Sequence, residues 1–311
     1  MALYAFDGTW NSEHDTGVYG VNTNVVEFAR AYTGRKSVVQ KAAAAGGPSV
    51  RDDFYVSGPG TRHGFLGKLF GGAFGVGGHE RIKEAQGALA QHFASGDDIV
   101  DIIGFSRGAA LALDFSNVVG GMQVRNQAGQ TLRPQIRFLG LWDVVAAFGL
   151  PLDLGPLHFQ RINLGYKLTL GSHVKYCFHA MAMDERRDAF RVTRVDNGYQ
   201  VWFRGVHSDI GGGNENAGLS NITLAWMLRK AVAVGLPVDD AMADRLVCDS
   251  SSATKPATTG PATAFRQIKP ADRIHYSVAP RTVASCQNAP IGCAVESVQD
   301  ERERIVTMQK P

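Results

Sequence analysis

The sequence predicts an α/β fold: a mostly parallel central sheet with helices on both faces. Three observations predict it. Apolar β-type runs alternate with helical patterns along most of the 311 residues, the signature of strands joined by helical crossovers. One run, Ile99 to Phe105 (IVDIIGF), is almost unbroken in its apolarity, as a central strand covered on both faces should be. That run leads through Gly104-Phe105-Ser106-Arg107-Gly108 into a helical pattern, RGAALAL.

Taken in order, Leu3 to Phe6 reads as the first strand and runs into Asp7-Gly8-Thr9-Trp10-Asn11. A helix follows from Asn24, with Val25, Val26 and Phe28 on its apolar side. Phe54 to Val56 is a short strand before the turn Gly58-Pro59-Gly60. Gly64 to Gly78 holds seven glycines beside Phe65, Leu66, Leu69, Phe70 and Phe74. It is too glycine-rich for an isolated helix, and its large apolar groups suit either a lid at the mouth of a site or a packed loop. Glu80 to Phe93 has helical spacing. Arg107 to Val119 is the helix after the central strand. Ile136 to Trp142, Val174 to Phe178 and Val201 to Val206 are further strands, and Asn221 to Val234 is a helix with Ser220 as its N-cap. From Asp249 the composition turns to Ser, Thr, Pro and Ala without periodicity, which reads as a linker. The expected organisation is a catalytic domain over 1–248, with 249–311 as linker and tail packed on it.

Composition excludes several classes. Charged residues make up 20% and the net charge is +3, with Lys and Arg dispersed, so nucleic acid is not an expected partner. No run reaches the roughly 20 apolar residues a bilayer span needs. The first residues carry neither a basic n-region nor an apolar core, so no signal peptide is expected. The protein is then cytoplasmic as synthesised, and any export takes a non-classical route. The four cysteines, Cys177, Cys248, Cys286 and Cys293, form no C-x-x-C pair and read as reduced thiols.

The chemistry concentrates at Ser106. In G-x-S-x-G between a strand and a helix, the serine sits in a sharp turn at the top of the sheet, and glycines two before and two after it avoid collision. The helix N-terminus then offers N–H groups to a developing oxyanion. A serine hydroxyl needs an adjacent base, and in this arrangement the partners follow in the order Ser, acid, His, each just beyond a strand. Asp143 and His207 stand in those places. His179 and His275 are competing bases, and Asp184 and Asp209 competing acids. Arg107 supplies one oxyanion N–H, and Gly8, Thr9 or Trp10 the other. No cofactor is required. Two rivals stand beside this reading. Asp7, Asp143, His207 and Asp209 could instead serve a metal-dependent hydrolase, or the scaffold could be a non-catalytic interaction module.

The motifs DGTWN at 7–11, NTNVVEFARA at 22–31, GGAFGVG at 71–77, GFSRGAA at 104–110, LWDVVAAFG at 141–149, HAMAMDERR at 179–187, WFRGVHSDIGGG at 202–213 and LAWML at 224–228, in this order, resemble a known family. It is the α/β-hydrolase domain of bacterial and fungal proteins that also forms the catalytic part of type VI secretion phospholipase effectors. The resemblance covers roughly residues 1 to 235. It implies a triad of Ser106, Asp143 and His207 and hydrolysis of carboxylic esters, as by an esterase, lipase or phospholipase. It further implies lipid or phospholipid substrates, contact with a membrane surface, and secretion or immunity partners. The chain departs from it in lacking the large membrane-docking region and in its segment after Asp249.

Overall fold

A computed structural model describes residues 1–8, 22–36, 54–56, 74–146, 165–187, 190–213, 217–248, 264–281, 288 and 292–302. The first half runs β1 (Ala2–Phe6), α1 (Asn24–Ala31), β2 (Arg35–Lys36), β3 (Phe54–Val56), α2 (Phe74–Ala94), β4 (Ile99–Phe105), α3 (Ser106–Gly121), β5 (Val124–Arg125), β6 (Thr131–Leu132) and β7 (Gln135–Trp142). The second runs β8 (Val174–Ala182), β9 (Tyr199–Phe203), α4 (His207–Gly211), α5 (Gly218–Ala233), α6 (Asp240–Cys248), β10 (Arg273–His275), β11 (Ala294–Glu296) and α7 (Val298–Arg302). Nine strands form one sheet in the order β11-β10-β9-β8-β7-β4-β1-β2, with β3 also paired to β1. Every pairing in it is parallel. β5 and β6 make a separate antiparallel hairpin.

Strand alternation divides the core. In β1, Tyr4 and Phe6 point to one face, and Leu3 and Ala5 to the other, because side chains reverse at each residue of a strand. The first face is covered by α2 and α3 through Ile82, Leu89, Phe93, Leu113 and Phe115. The second is covered by α1, α5 and α6 through Val25, Phe28, Leu224, Trp226 and Ala243. This two-sided cover explains why β4 is apolar almost throughout.

The chain turns outward from β1 to β2 and β3 on one side, then returns to place β4 on the other. The order of strands therefore reverses between β1 and β4. In open α/β sheets, ligands bind beyond the carboxyl ends of strands at such a reversal. Asp7 follows β1 and Ser106 follows β4 at that point.

Three differences from the sequence reading have physical reasons. Helix α2 begins at Phe74, inside the glycine-rich stretch. The rest of that stretch, with Phe65, Leu66, Leu69 and Phe70, lies outside the described residues, as does the linker 249–263. Helix α5 begins at Gly218, with Ser220 in its first turn donating to Ala217 O at 3.1 Å rather than capping. The segment read as a tail contributes β10 and β11, which extend the sheet beyond β9. Glu296 of β11 is buried, accepting from Trp226 Nε1 at 3.1 Å and pairing with buried Lys230, both on α5. Among the described residues, no helix is long and apolar enough to cross a membrane.

Candidate active site

The elbow is built from backbone conformation and close packing. Phe105 is extended, and Ser106 then takes φ +60°, a left-handed conformation that a non-glycine residue adopts only under constraint. The constraint is visible on both sides. A Cβ on Gly104 would lie 2.8 Å from Ala109 Cα, and one on Gly108 would lie 2.3 Å from the carbonyl oxygens of both Phe6 and Asp7. Only glycines let α3 start this close to β1. Ser106 is 7% exposed, so its hydroxyl sits in a nearly closed site.

Asp143 follows β7 with φ +43° and is fully buried. Its loop is pinned on three sides. Asp143 N donates to Ala180 O (2.8 Å) and Val145 N to Ser106 O (3.2 Å). Val144 N donates to His179 Nε2 (3.1 Å). His179 is therefore an acceptor at Nε2, with Nδ1 facing Gln200 Oε1 at 3.3 Å. Burial pushes its pKa down to about 4. It is a neutral strut for the acid loop, not the base.

His207 opens α4, just past β9. The other acids of the region hold its loop. Asp184 binds Arg204 Nη1 (2.6 Å) and Gly205 N (2.7 Å). Asp209 accepts from Val206 N (2.9 Å). Glu185 accepts the His207 N–H (3.1 Å) and is itself gripped by Arg187. A Cβ on Gly211 would lie 2.0 Å from the Phe105 ring, so this glycine lets α4 press against the elbow. The Phe105 and Phe190 rings flank the imidazole at 4.7 and 4.8 Å between centroids.

The three residues meet in one chain of hydrogen bonds. His207 Nε2 is 2.8 Å from Ser106 Oγ, and His207 Nδ1 is 2.6 Å from Asp143 Oδ2. His275 is elsewhere, bonded through Nδ1 to Ser277 Oγ (2.6 Å) and stacked on Phe203. Burial lowers the pKa of His207, and the opposing pull of Asp143 does not restore it. Burial alone would raise the Asp143 carboxyl. The Arg266 guanidinium and His207 outweigh it and hold the group well below the usual carboxylate range. The site thus rests as a neutral imidazole between a hydroxyl and a carboxylate, the arrangement in which an imidazole can accept the hydroxyl proton.

Arg266 is a site residue that sequence reasoning missed. Its Nη1 donates to Asp143 Oδ1 (2.6 Å) and its Nη2 to Asp143 Oδ2 (2.9 Å). Only its side-chain chemistry could have suggested it, because no motif surrounds it.

Arg107, next after Ser106, is half-buried, and desolvation pushes its guanidinium down to about 10. Gly8 N donates to Asp7 Oδ1 (2.6 Å), and Asp7 Oδ2 accepts from Thr23 Oγ1 (2.6 Å). Thr9 and Trp10 lie outside the described residues. The NTN segment ties α1 to α4 and α5, because Asn24 Nδ2 donates to Ile210 O, Ser220 O and Thr223 Oγ1 at 2.9 to 3.0 Å. Among the described residues, no three His, Cys, Asp or Glu side chains gather as metal ligands. Of the four residues of the metal rival, Asp143 and His207 meet, whereas Asp7 and Asp209 turn oxygens to Thr23 Oγ1 and Val206 N.

The parallel sheet, helices on both faces and the elbow at a strand end define an α/β-hydrolase-like fold. The family model for the type VI secretion phospholipase effector Tle1-like catalytic domain matches residues 3–124 and 119–230, and the chain belongs to that family. No curated protein matches the sequence. The solved structures similar to this chain include the following two. One is the Tle1 effector bound to the VgrG spike from the type 6 secretion system, at 24% identity and TM-score 0.43, covering 68% of this chain and 50% of that one. The other is an uncharacterized protein from Pseudomonas aeruginosa, at 21% identity and TM-score 0.48, covering 82% and 51%. This chain spans about half the length of each.

Proposed function

We propose that the chain is a serine hydrolase that cleaves carboxylic esters of phospholipids through an acyl-enzyme, with Ser106 as nucleophile, His207 as base and Asp143 as its orienting acid. The observation that carries this reading is the hydrogen-bond chain from Ser106 Oγ through His207 to Asp143, at the carboxyl ends of three parallel strands. Ser106 Oγ attacks the ester carbonyl while His207 Nε2 takes its proton. Asp143 stabilises the imidazolium. The Arg107 N–H and one amide from Gly8 to Trp10 hold the oxyanion; an amide at Gly8 would have to leave Asp7 to do so. His207 then returns the proton to the leaving alcohol, and water clears the acyl group by the reverse sequence. No cofactor enters. Family membership supports a phospholipid substrate and delivery by the type VI system, and we extend the reading to action at a membrane surface and to secretion and immunity partners. The described residues of 264–302 act with the catalytic domain, through β10 and β11 in its sheet and Arg266 at Asp143.

The test is incubation of the native protein and Ser106→Ala with a mixed phospholipid extract, followed by mass spectrometry. Free fatty acid and lysolipid released only by the native protein are expected. Equal release by both would overturn the reading.

A further inference from the structure

Asp143 is surrounded more completely than an orienting acid requires. Each oxygen accepts twice: Oδ1 from Ala182 N (2.9 Å) and Arg266 Nη1 (2.6 Å), Oδ2 from His207 Nδ1 (2.6 Å) and Arg266 Nη2 (2.9 Å). A carboxylate has about four acceptor sites, so this one is saturated. The Arg266 side chain is 7% exposed. Its Nη1 and Nη2 also donate to Ala182 O (2.6 Å) and Phe190 O (2.5 Å), which fixes the guanidinium plane. A bidentate fork of this kind sets the plane of its partner carboxylate as well as its position.

Arg266 reaches the site from a segment beyond residue 230, where the family match ends. That segment is firmly anchored. Asn288 Nδ2 donates to Arg266 O (3.1 Å) and Met183 O (2.7 Å). Asp272 accepts a fork from Arg194 (2.7 and 2.6 Å) and a bond from Trp202 Nε1 (3.0 Å). Ile268 packs against the cluster of Met181, Met183, Trp202 and Ile274. The C-terminal region thus delivers one cation to a fixed point behind the acid.

We propose that Arg266 is a positioning residue of this site: it fixes the Asp143 carboxylate plane so that Oδ2 faces His207, and it offsets the carboxylate charge that His207 experiences. The proposal rests on the serine-hydrolase reading above. Its consequence is electrostatic as well as geometric. The polar and charged groups about His207 are Ser106 from α3, Asp143 after β7, Glu185 after β8 with its partner Arg187, and Arg266 behind Asp143, with Asp209 two residues on in the same helix and bonded to Val206 N. Asp143 and Glu185 favour the imidazolium and Arg266 opposes it. Removing Arg266 leaves the carboxylate charge uncompensated, so His207 holds a proton to higher pH.

The experiment uses the full chain and a fluorophosphonate probe, which needs no knowledge of the natural substrate. The second-order rate of Ser106 labelling is measured against pH for the native protein, Arg266→Gln and Arg266→Lys. In Arg266→Gln the acid midpoint should rise by about 1 pH unit and the plateau rate fall about tenfold. Arg266→Lys keeps the charge but not the fork, so its midpoint should stay near the native one with an intermediate rate. A glutamine midpoint that does not move, or a lysine midpoint that moves equally far, would overturn the proposal. Should Arg266→Gln not fold, Arg266→Lys alone is compared with the native protein: a several-fold lower plateau rate at a near-native midpoint supports the proposal, and a native rate or a midpoint raised by about 1 pH unit overturns it. Native protein that is not labelled at Ser106 refutes the serine reading itself. Labelled native protein with an unshifted glutamine variant refutes only the role of Arg266.

Discussion

Asp101 and Asp143 sit on or beside adjacent strands, β4 and β7, and both are fully buried. Each is held by an arginine fork. Arg137 grips Asp101 through Nε (3.0 Å) and Nη2 (2.6 Å), as Arg266 grips Asp143. They differ in place and in the third partner. Asp101 lies toward the amino ends of the strands and accepts from Tyr32 OH at 2.9 Å. Burial and the Asp101 charge push the Tyr32 hydroxyl far above its ordinary value, so that hydrogen bond moves no proton. Asp143 lies beyond the carboxyl end of β7 and accepts from a histidine that touches a serine. The same ion-pair chemistry closes the bottom of the sheet at one end and, on the proposed reading, orients a base at the other. What separates structure from chemistry is whether the third group can exchange a proton near neutral pH.

Ser106→Ala should lower turnover by about 10³- to 10⁶-fold while the melting temperature stays within a few degrees of native. Ester hydrolysis above a few per cent in a folded variant would remove Ser106 from its role. Asp143→Asn should cost about 10⁴ in kcat, because the amide favours the wrong imidazole tautomer. A loss under tenfold would mean that Arg266 and Asp143 serve only the fold. At the other end, Asp101→Asn leaves Arg137 facing no carboxylate. Losing one side of a buried pair costs about 3–5 kcal/mol, read as a lower denaturation midpoint. Turnover per folded molecule should stay within about twofold of native. A large drop in specific activity would show that the two ends are coupled.

The smallest effect is in pH. The folded-state pKa of His207 lies below its ordinary value of 6.5, and the base works only when unprotonated. Activity should therefore be nearly flat between pH 7 and 8 and fall only as the pH drops through a midpoint below 6.5. A kcat/KM midpoint above 7 would contradict a buried, neutral base.

Those forks also mark what a sequence can carry. The elbow was legible because a strained turn demands glycines at fixed offsets and an apolar strand before it, all within Gly104 to Gly108. Asp143 and His207 were legible because strands end just before them. The competing residues were separated only in three dimensions: His179 is consumed by Val144 N, and Asp184 and Asp209 by the backbone around Arg204 to Val206. Arg266 was not legible. Its partner is 123 positions away, and nothing local distinguishes it from an exposed arginine. β10 and β11 were missed because three-residue strands show no period, and their anchors are also remote, Glu296 lying 70 positions from Trp226. The start of α2 was misread because glycine content argues against an isolated helix, whereas Gly78 here packs against the Tyr166 hydroxyl, where a Cβ would lie 2.1 Å away.

On the proposed mechanism Ser106 carries the acyl group. This is tested most directly by trapping that intermediate. The native protein is mixed with phospholipid vesicles, quenched in acid within the first turnovers, digested and analysed by mass spectrometry. A fatty-acyl mass increment is expected on the peptide containing Ser106, absent from Ser106→Ala. An increment on another residue, or undiminished lipid hydrolysis by Ser106→Ala, would contradict that mechanism.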